Sequence, residues 1–201
     1  MIQLPSLVLS SQESGKIAMA ITHYKTVFSE YHSGSASFIH MLSKPIAATR
    51  DTDIHQNDVD KLQDAIARSE KKINTKLVFY GNHNTDKAIQ LNHLAYVMKQ
   101  SICFIDCKRL VKNYIGETEK HISELVAQAE SENWILFFDE ADALFGRHSK
   151  VKDVHDKYAN QEVSYLLKLL SQYPGLSILS MKEKSKLENI QYTVDSVISF
   201  R

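Results

Sequence analysis

The chain has 201 residues, 43% hydrophobic and 24% charged, which suits one soluble globular domain with a real core plus an appendage. Lys plus Arg and Asp plus Glu number 24 each, so no basic excess points to nucleic acid or to an anionic membrane. The opening MIQLPSLVLSSQ has no preceding positive charge and is too short to span a membrane, so the expected location is cytoplasmic.

Residues 1–75 read as a polar, helical segment. In the stretch from Ser14 to Gly34, Ile17, Ile21, Tyr24, Phe28 and Tyr31 recur at spacings of four and three, one apolar stripe on a helix. Ser14 suits its start and Gly34 its end. ASFIHMLSKP reads as a short second helix closed by Pro45. A polar loop follows, and then NDVDKLQDAIARSEKK forms a helix capped by Asn57, with Val59, Leu62 and Ile66 as a narrow stripe. Such a segment either packs on the main domain or serves for docking and oligomerisation.

From residue 76 the pattern changes. KLVFY reads as a strand, and the following helix aligns Leu91, Leu94, Ala95 and Met98. The junction between them, GNHNTDKA over 81–88, nearly has the spacing of the phosphate-binding pattern GxxxxGK[ST]. SICFIDC is a second strand. Its cysteines, Cys103 and Cys107, are too far apart for a disulfide within one strand and have no histidine partners at ligand spacing, so they read as buried thiols. TEKHISELVAQAESE is a helix aligning Ile122, Leu125, Val126 and Ala129. WILFF is a buried strand, NQEVSYLLKLLSQ a helix aligning Val163, Leu166, Leu167 and Leu170, and LSILSM and DSVISF are two further strands. Strands alternating with helices imply a parallel sheet covered on both faces, an α/β fold. The nine histidines are scattered and form no HExxH or CxxC pattern, which argues against a metal centre built from them.

NWILFFDEADALFG, residues 133–146, carries most chemistry. A buried apolar strand delivers Asp139 and Glu140 at its carboxyl end, where parallel α/β sheets bind ligands. Adjacent acids there suit magnesium–nucleotide chemistry: Asp139 holds Mg²⁺ through its water shell, and Glu140 orients or deprotonates an attacking water.

These residues resemble a known family. ILFFDEADALFG looks like the Walker B segment of AAA+ ATPases. YIGETEKHI, residues 114–122, resembles that family's central-pore segment, GLSILSMK its sensor-1 strand, and KYANQEVSYLLKLL the intervening helix. The motifs occur in order across about residues 76–200, leaving 1–75 outside, so the expected division is an N-terminal helical segment, 1–75, and an α/β core, 76–201. The resemblance implies a P-loop NTPase-like three-layer sandwich with a five-stranded parallel sheet in the order 5-1-4-3-2. It assigns Gly81, Thr85 and Lys87 to nucleotide phosphates, Asp139 to Mg²⁺ and Glu140 to catalysis, with ATP or ADP and magnesium as cofactor.

The sequence also departs from the family. Asp86 replaces the second glycine, adding a Cβ and a carboxylate beside anionic phosphates. Two unit charges about 4 Å apart cost roughly 4 kcal/mol at an effective dielectric of 20. Ala88 removes the hydroxyl that would hold Mg²⁺. Lys182 stands near the position where the resemblance implies a polar sensor residue, usually Asn. No arginine lies between Arg147 and Arg201, where the resemblance implies a pair that reaches a neighbouring subunit's nucleotide. The sequence ends at Arg201, and the expectation is a core without the family's helical lid.

The expected function is therefore an AAA+-like module with a degenerate nucleotide site and weak or absent hydrolysis. It would act as a scaffold or regulatory partner, docked on another AAA+ subunit or a complex through residues 1–75. The alternative is an atypical active ATPase that uses Lys87, Asp139 and Glu140 with an arginine supplied by a partner. A third reading makes Asp86 part of a cation or small-ligand pocket. Nucleic-acid binding is disfavoured by the neutral charge and by the absence of a basic aromatic stripe.

Overall fold

A computed structural model describes residues 38–42, 45, 55–113, 118–145 and 164–200. The expected helix over 14–33, the pore-like Tyr114-Ile115-Gly116 and Arg147 lie outside the described residues.

In chain order the elements are β1 (Ile39–Leu42), α1 (Gln56–Glu70), β2 (Thr75–Gly81), α2 (Asn84–Met98), β3 (Ile102–Asp106), α3 (Cys107–Asn113), α4 (Thr118–Glu132), β4 (Ile135–Asp139), a 3₁₀ turn (Ala141–Leu144), α5 (164–172), β5 (Leu176–Met181), α6 (Lys184–Ile190) and β6 (Ser196–Phe200). They build one six-stranded sheet in the order β1-β3-β4-β5-β2-β6. Every pairing is parallel except β1 with β3, which is antiparallel. The expected five-stranded, wholly parallel sheet is thus corrected in strand number and order: the sheet is mixed, with an extra strand on the β3 edge.

That extra strand is the segment expected to be a short helix before Pro45. Phe38 and Leu42, both buried, are four residues apart and fit a turn of helix as well as a strand end. Long-range pairing decides the matter. Ile39 lies opposite Ile105 and Leu42 opposite Ile102, and the Asp106 N–H donates to the Phe38 carbonyl at 2.9 Å. Residues before position 75 therefore supply a strand to the main sheet, and also the helix α1 that packs against β6 and β2.

The sheet is sandwiched because its strands are apolar on both sides. One face presents Leu77, Phe79, Phe104, Phe137, Ile178 and Ile198 to α1 and α2; the other presents Val78, Ile105, Leu136, Phe138 and Leu179 to α3, α4, α5 and α6. The helical stripes fit this arrangement. Leu91, Leu94 and Ala95 of α2 and Ile122, Leu125, Val126 and Ala129 of α4 are buried. On α1 the buried positions are Asp58, Leu62, Ala65 and Ser69, rotated from the expected stripe, and Asp58 on this face accepts the Ser199 N–H of β6. Cys107 is the first residue of α3 rather than the last of a strand, yet it and Cys103 are free thiols in the same core. No helix among the described residues is long and apolar enough to cross a membrane.

Candidate functional site

The parallel strands all deliver their carboxyl ends to one side of the sheet, and the candidate residues lie on two junctions there. The first joins β2 to α2. Gly81 closes β2 with φ +130, and a Cβ added there would overlap the carbonyl oxygen of Phe200, its neighbour in register on β6. The glycine is required by close approach to a neighbouring strand and by a backbone angle that side chains resist. Only Asn82 and His83 connect it to α2. The Asn84 N–H donates to the Asn82 carbonyl at 3.0 Å, and the Lys87 N–H donates to the His83 carbonyl at 3.1 Å, as a helical bond.

Local chemistry explains this early start. No glycine interrupts 82–88 to hold an open loop. Asp86 places a carboxylate in the first turn, where it complements the helix dipole. Its Oδ2 faces the His83 Nδ1 at 3.5 Å. Thr85 is exposed in the same turn, while Ala88 is buried. The Lys87 side chain turns inward and is only 2% exposed. Its Nζ donates to the Ser180 hydroxyl at 3.2 Å and to the Met181 carbonyl at 3.0 Å, tying α2 to the end of β5. Burial lowers its pKa to about 8, against an opposing pull from Asp139 and with a further push from Lys182.

The second junction follows β4. Asp139 ends the strand, in register with Asp106 of β3, and is largely buried. Burial first, and the charge of Glu140 second, raise its carboxyl above the usual range; Lys182 and Lys87 act in the other direction. Glu140 adopts the left-handed conformation, φ 49 and ψ 42, which turns the chain from strand to 3₁₀ turn. Its Oε1 accepts a hydrogen bond from the Lys108 Nζ at 2.7 Å. That bond is the chief cause of the raised Lys108 pKa.

A family model, ATPase family associated with various cellular activities (AAA), matches residues 77–186, just over half of the chain and the stretch that carries both junctions. The chain belongs to the AAA family. Among curated proteins, the 26S proteasome subunit RPT4 of Saccharomyces cerevisiae is 28% identical over 123 residues. That alignment takes in 61% of this chain but only 28% of the yeast protein.

Within this AAA domain the candidate residues are brought to one end of the sheet, on two separate junctions. Lys87 and Asp139 lie closely enough for each charge to act on the other's pKa, and the neighbouring Glu140 charge raises that of Asp139. Gly81 and Thr85 sit apart from them, the first against β6 and the second exposed. Asp142 went unremarked in the sequence and organises the site. Its carboxylate accepts the backbone N–H groups of Lys182 at 2.8 Å and Glu183 at 3.0 Å, and its carbonyl accepts the buried Lys186 Nζ at 2.9 Å. The loop after β5 is thereby fastened to the turn after β4. No local signal announces a partner forty residues away. Ser180 did carry a signal: a hydroxyl in the fully buried run LSILSM requires a partner, and Lys87 is one. Among the described residues no group of three or more His, Cys, Asp or Glu side chains is placed to hold a metal ion.

Proposed function

We propose that this AAA domain is a scaffold or regulatory module whose nucleotide site is degenerate, with weak or absent ATP hydrolysis. The observation that carries the reading is the β2–α2 junction. A phosphate cradle uses a run of free backbone N–H groups, a lysine reaching toward the phosphates and a hydroxyl on Mg²⁺. Here the Lys87 N–H is inside the helix, its Nζ is on β5, Asp86 puts an anion in the first turn and Ala88 has no hydroxyl. The residues present do not fit a magnesium nucleotide held in that manner, so ATP or ADP with magnesium is expected to bind weakly at most. We assign the protein to the cytoplasm, with a protein partner. The likeness to a subunit of the proteasome supports assembly with other AAA subunits or with a larger complex, with residues 1–75 contributing to docking.

A second reading, an atypical active ATPase, draws on the convergence of Lys87, Asp139 and Glu140 at the carboxyl end of the sheet. In it Lys87 binds phosphate, Asp139 attends the metal through water, Glu140 activates water and a partner supplies the missing arginine. Steady-state ATP turnover separates the two. The degenerate reading expects no turnover in the wild type above that of Glu140→Gln, alone or with added partner. Turnover that Glu140→Gln abolishes supports the second reading and overturns the first.

A further inference from the structure

Asp106, Asp139, Glu140 and Asp142 stand together at the carboxyl ends of β3 and β4. Asp106 and Asp139 are buried and in register on neighbouring parallel strands, whose axes lie about 4.8 Å apart, so their charges repel unless cations are close. A divalent ion is one way to relieve such crowding. The chain supplies its own cations and donors. Arg109 engages both oxygens of Asp106: its backbone N–H donates to Oδ1 at 2.9 Å, and its Nε lies 3.3 Å from Oδ2. Lys108 bonds Glu140, and both oxygens of Asp142 accept backbone N–H groups, those of Lys182 and Glu183. Asp139 is served by two lysines. The peptide unit between Met181 and Lys182 links them, since its carbonyl accepts the Lys87 Nζ and its N–H donates to Asp142. Lys87 is thus held against the backbone that carries Lys182, and both charges favour the ionised form of Asp139. Of the two, Lys87 is inside the fold and Lys182 is only partly buried.

We propose that Lys182, together with Lys87, is a tethered counter-ion that takes the place of a divalent cation beside Asp139 and keeps free Mg²⁺ out. Two ammonium groups supply the charge of one such ion without its demand for an octahedral shell of oxygens. The carboxylates that could furnish part of that shell are engaged by Arg109, Lys108 and backbone N–H groups. An entering metal would also meet two like charges at close range. The magnesium that the family resemblance implies therefore does not fit this half of the site, for a reason separate from Asp86 and Ala88. The inference rests on the degenerate reading of the nucleotide site and adds to it the group that stands in for the metal.

The test is Mn²⁺ uptake by the full chain without nucleotide, read from the electron paramagnetic resonance of the free ion. The wild type is expected to show no saturable uptake at millimolar Mn²⁺. Lys182→Asn keeps the backbone bond to Asp142 and removes only the charge, so it should bind about one equivalent, about tenfold or more tightly than the wild type. Adding Asp139→Asn should abolish that uptake. Lys182→Arg retains the charge and should exclude the ion as the wild type does. Lys184→Asn removes an equal charge from the exposed start of α6 and should also match the wild type, which separates local charge from net charge. A folded Lys182→Asn with wild-type uptake overturns the proposal, as does uptake by Lys182→Arg equal to that of Lys182→Asn. Should Lys182→Asn lose its circular-dichroism signature, Lys182→Gln carries the same test. Uptake by the wild type that Asp139→Asn removes would overturn this inference alone, whereas tight Mg-ATP binding beside the expected Mn²⁺ results would overturn only the degenerate reading.

Discussion

The two junctions at the carboxyl end of the sheet solve the strand-to-helix transition in opposite ways. After β2 the helix starts at once and takes up the residues that would line a phosphate cradle. After β4 the chain stays irregular: Glu140 reverses it in the left-handed region, and Asp139, Glu140 and Asp142 point to different partners. At the first junction the Lys87 N–H is bonded within the helix, and at the second the carboxylates stand at the strand end. The difference teaches that an acidic pair at a strand end persists for reasons of its own. Asp142 fastens the β5 loop, Glu140 holds Lys108, and Asp139 answers the positive charges of Lys182 and Lys87. None of these duties requires a nucleotide.

The largest effect expected from perturbing this contrast is at Gly81. If its role is the approach to Phe200, Gly81→Ala should destabilise the fold by roughly 4 kcal/mol or more in urea unfolding, through a steric overlap combined with a disfavoured backbone angle. A fold left intact would return Gly81 to a phosphate-binding role.

Next in size is the pH dependence from Lys87. Its pKa, about 8 in the fold, is below the ordinary 10.5, so the unfolded chain binds more protons between those values. Stability should therefore rise with pH across that window, by about 3 kcal/mol at most. The difference between wild type and Lys87→Met, measured by chemical denaturation from pH 7 to 11, isolates the contribution, because the other groups are common to both. A flat difference would mean that Lys87 is charged and well solvated or paired in the fold.

Asp142→Ala comes third, at roughly 2 kcal/mol, since it strips acceptors from two backbone N–H groups. Hydrogen exchange should speed up at Lys182 and Glu183 before it does so in β4. Smallest is Glu140→Gly, which relieves the left-handed strain and should raise stability by ~0.5–1 kcal/mol in the same denaturation assay, its ion pair with the exposed Lys108 being of little weight. A loss instead would show that the pair with Lys108 is the stronger term.

Much of this was legible in the sequence, for reasons that can be named. Continuous apolar runs such as ILFF mark strands buried on both faces, and the stripe Ile122, Leu125, Val126, Ala129 marks its helix, because burial imposes those periods locally. The four residues of β1 carry no such period; their state is set by β3, sixty or more positions away. The near-match GNHNTDKA located a junction correctly but could not reveal that α2 would begin at Asn84. Helix starts depend on a few tenths of a kcal/mol at each residue of the first turn. The positions of Asp139 and Glu140 were readable, whereas their partners were not: Lys108 bonds Glu140 from the helix after β3, and the charge of Lys182 acts on Asp139 from the loop after β5.

The central claim is that the protein's own groups have replaced the phosphate cradle. Isothermal titration of Mg-ATP and Mg-ADP into the wild type, run beside Asp86→Gly/Ala88→Thr, tests it most directly. The account predicts no saturable binding to the wild type at millimolar nucleotide, and measurable binding once the glycine and hydroxyl are present. Tight, stoichiometric binding of either nucleotide to the wild type would contradict it.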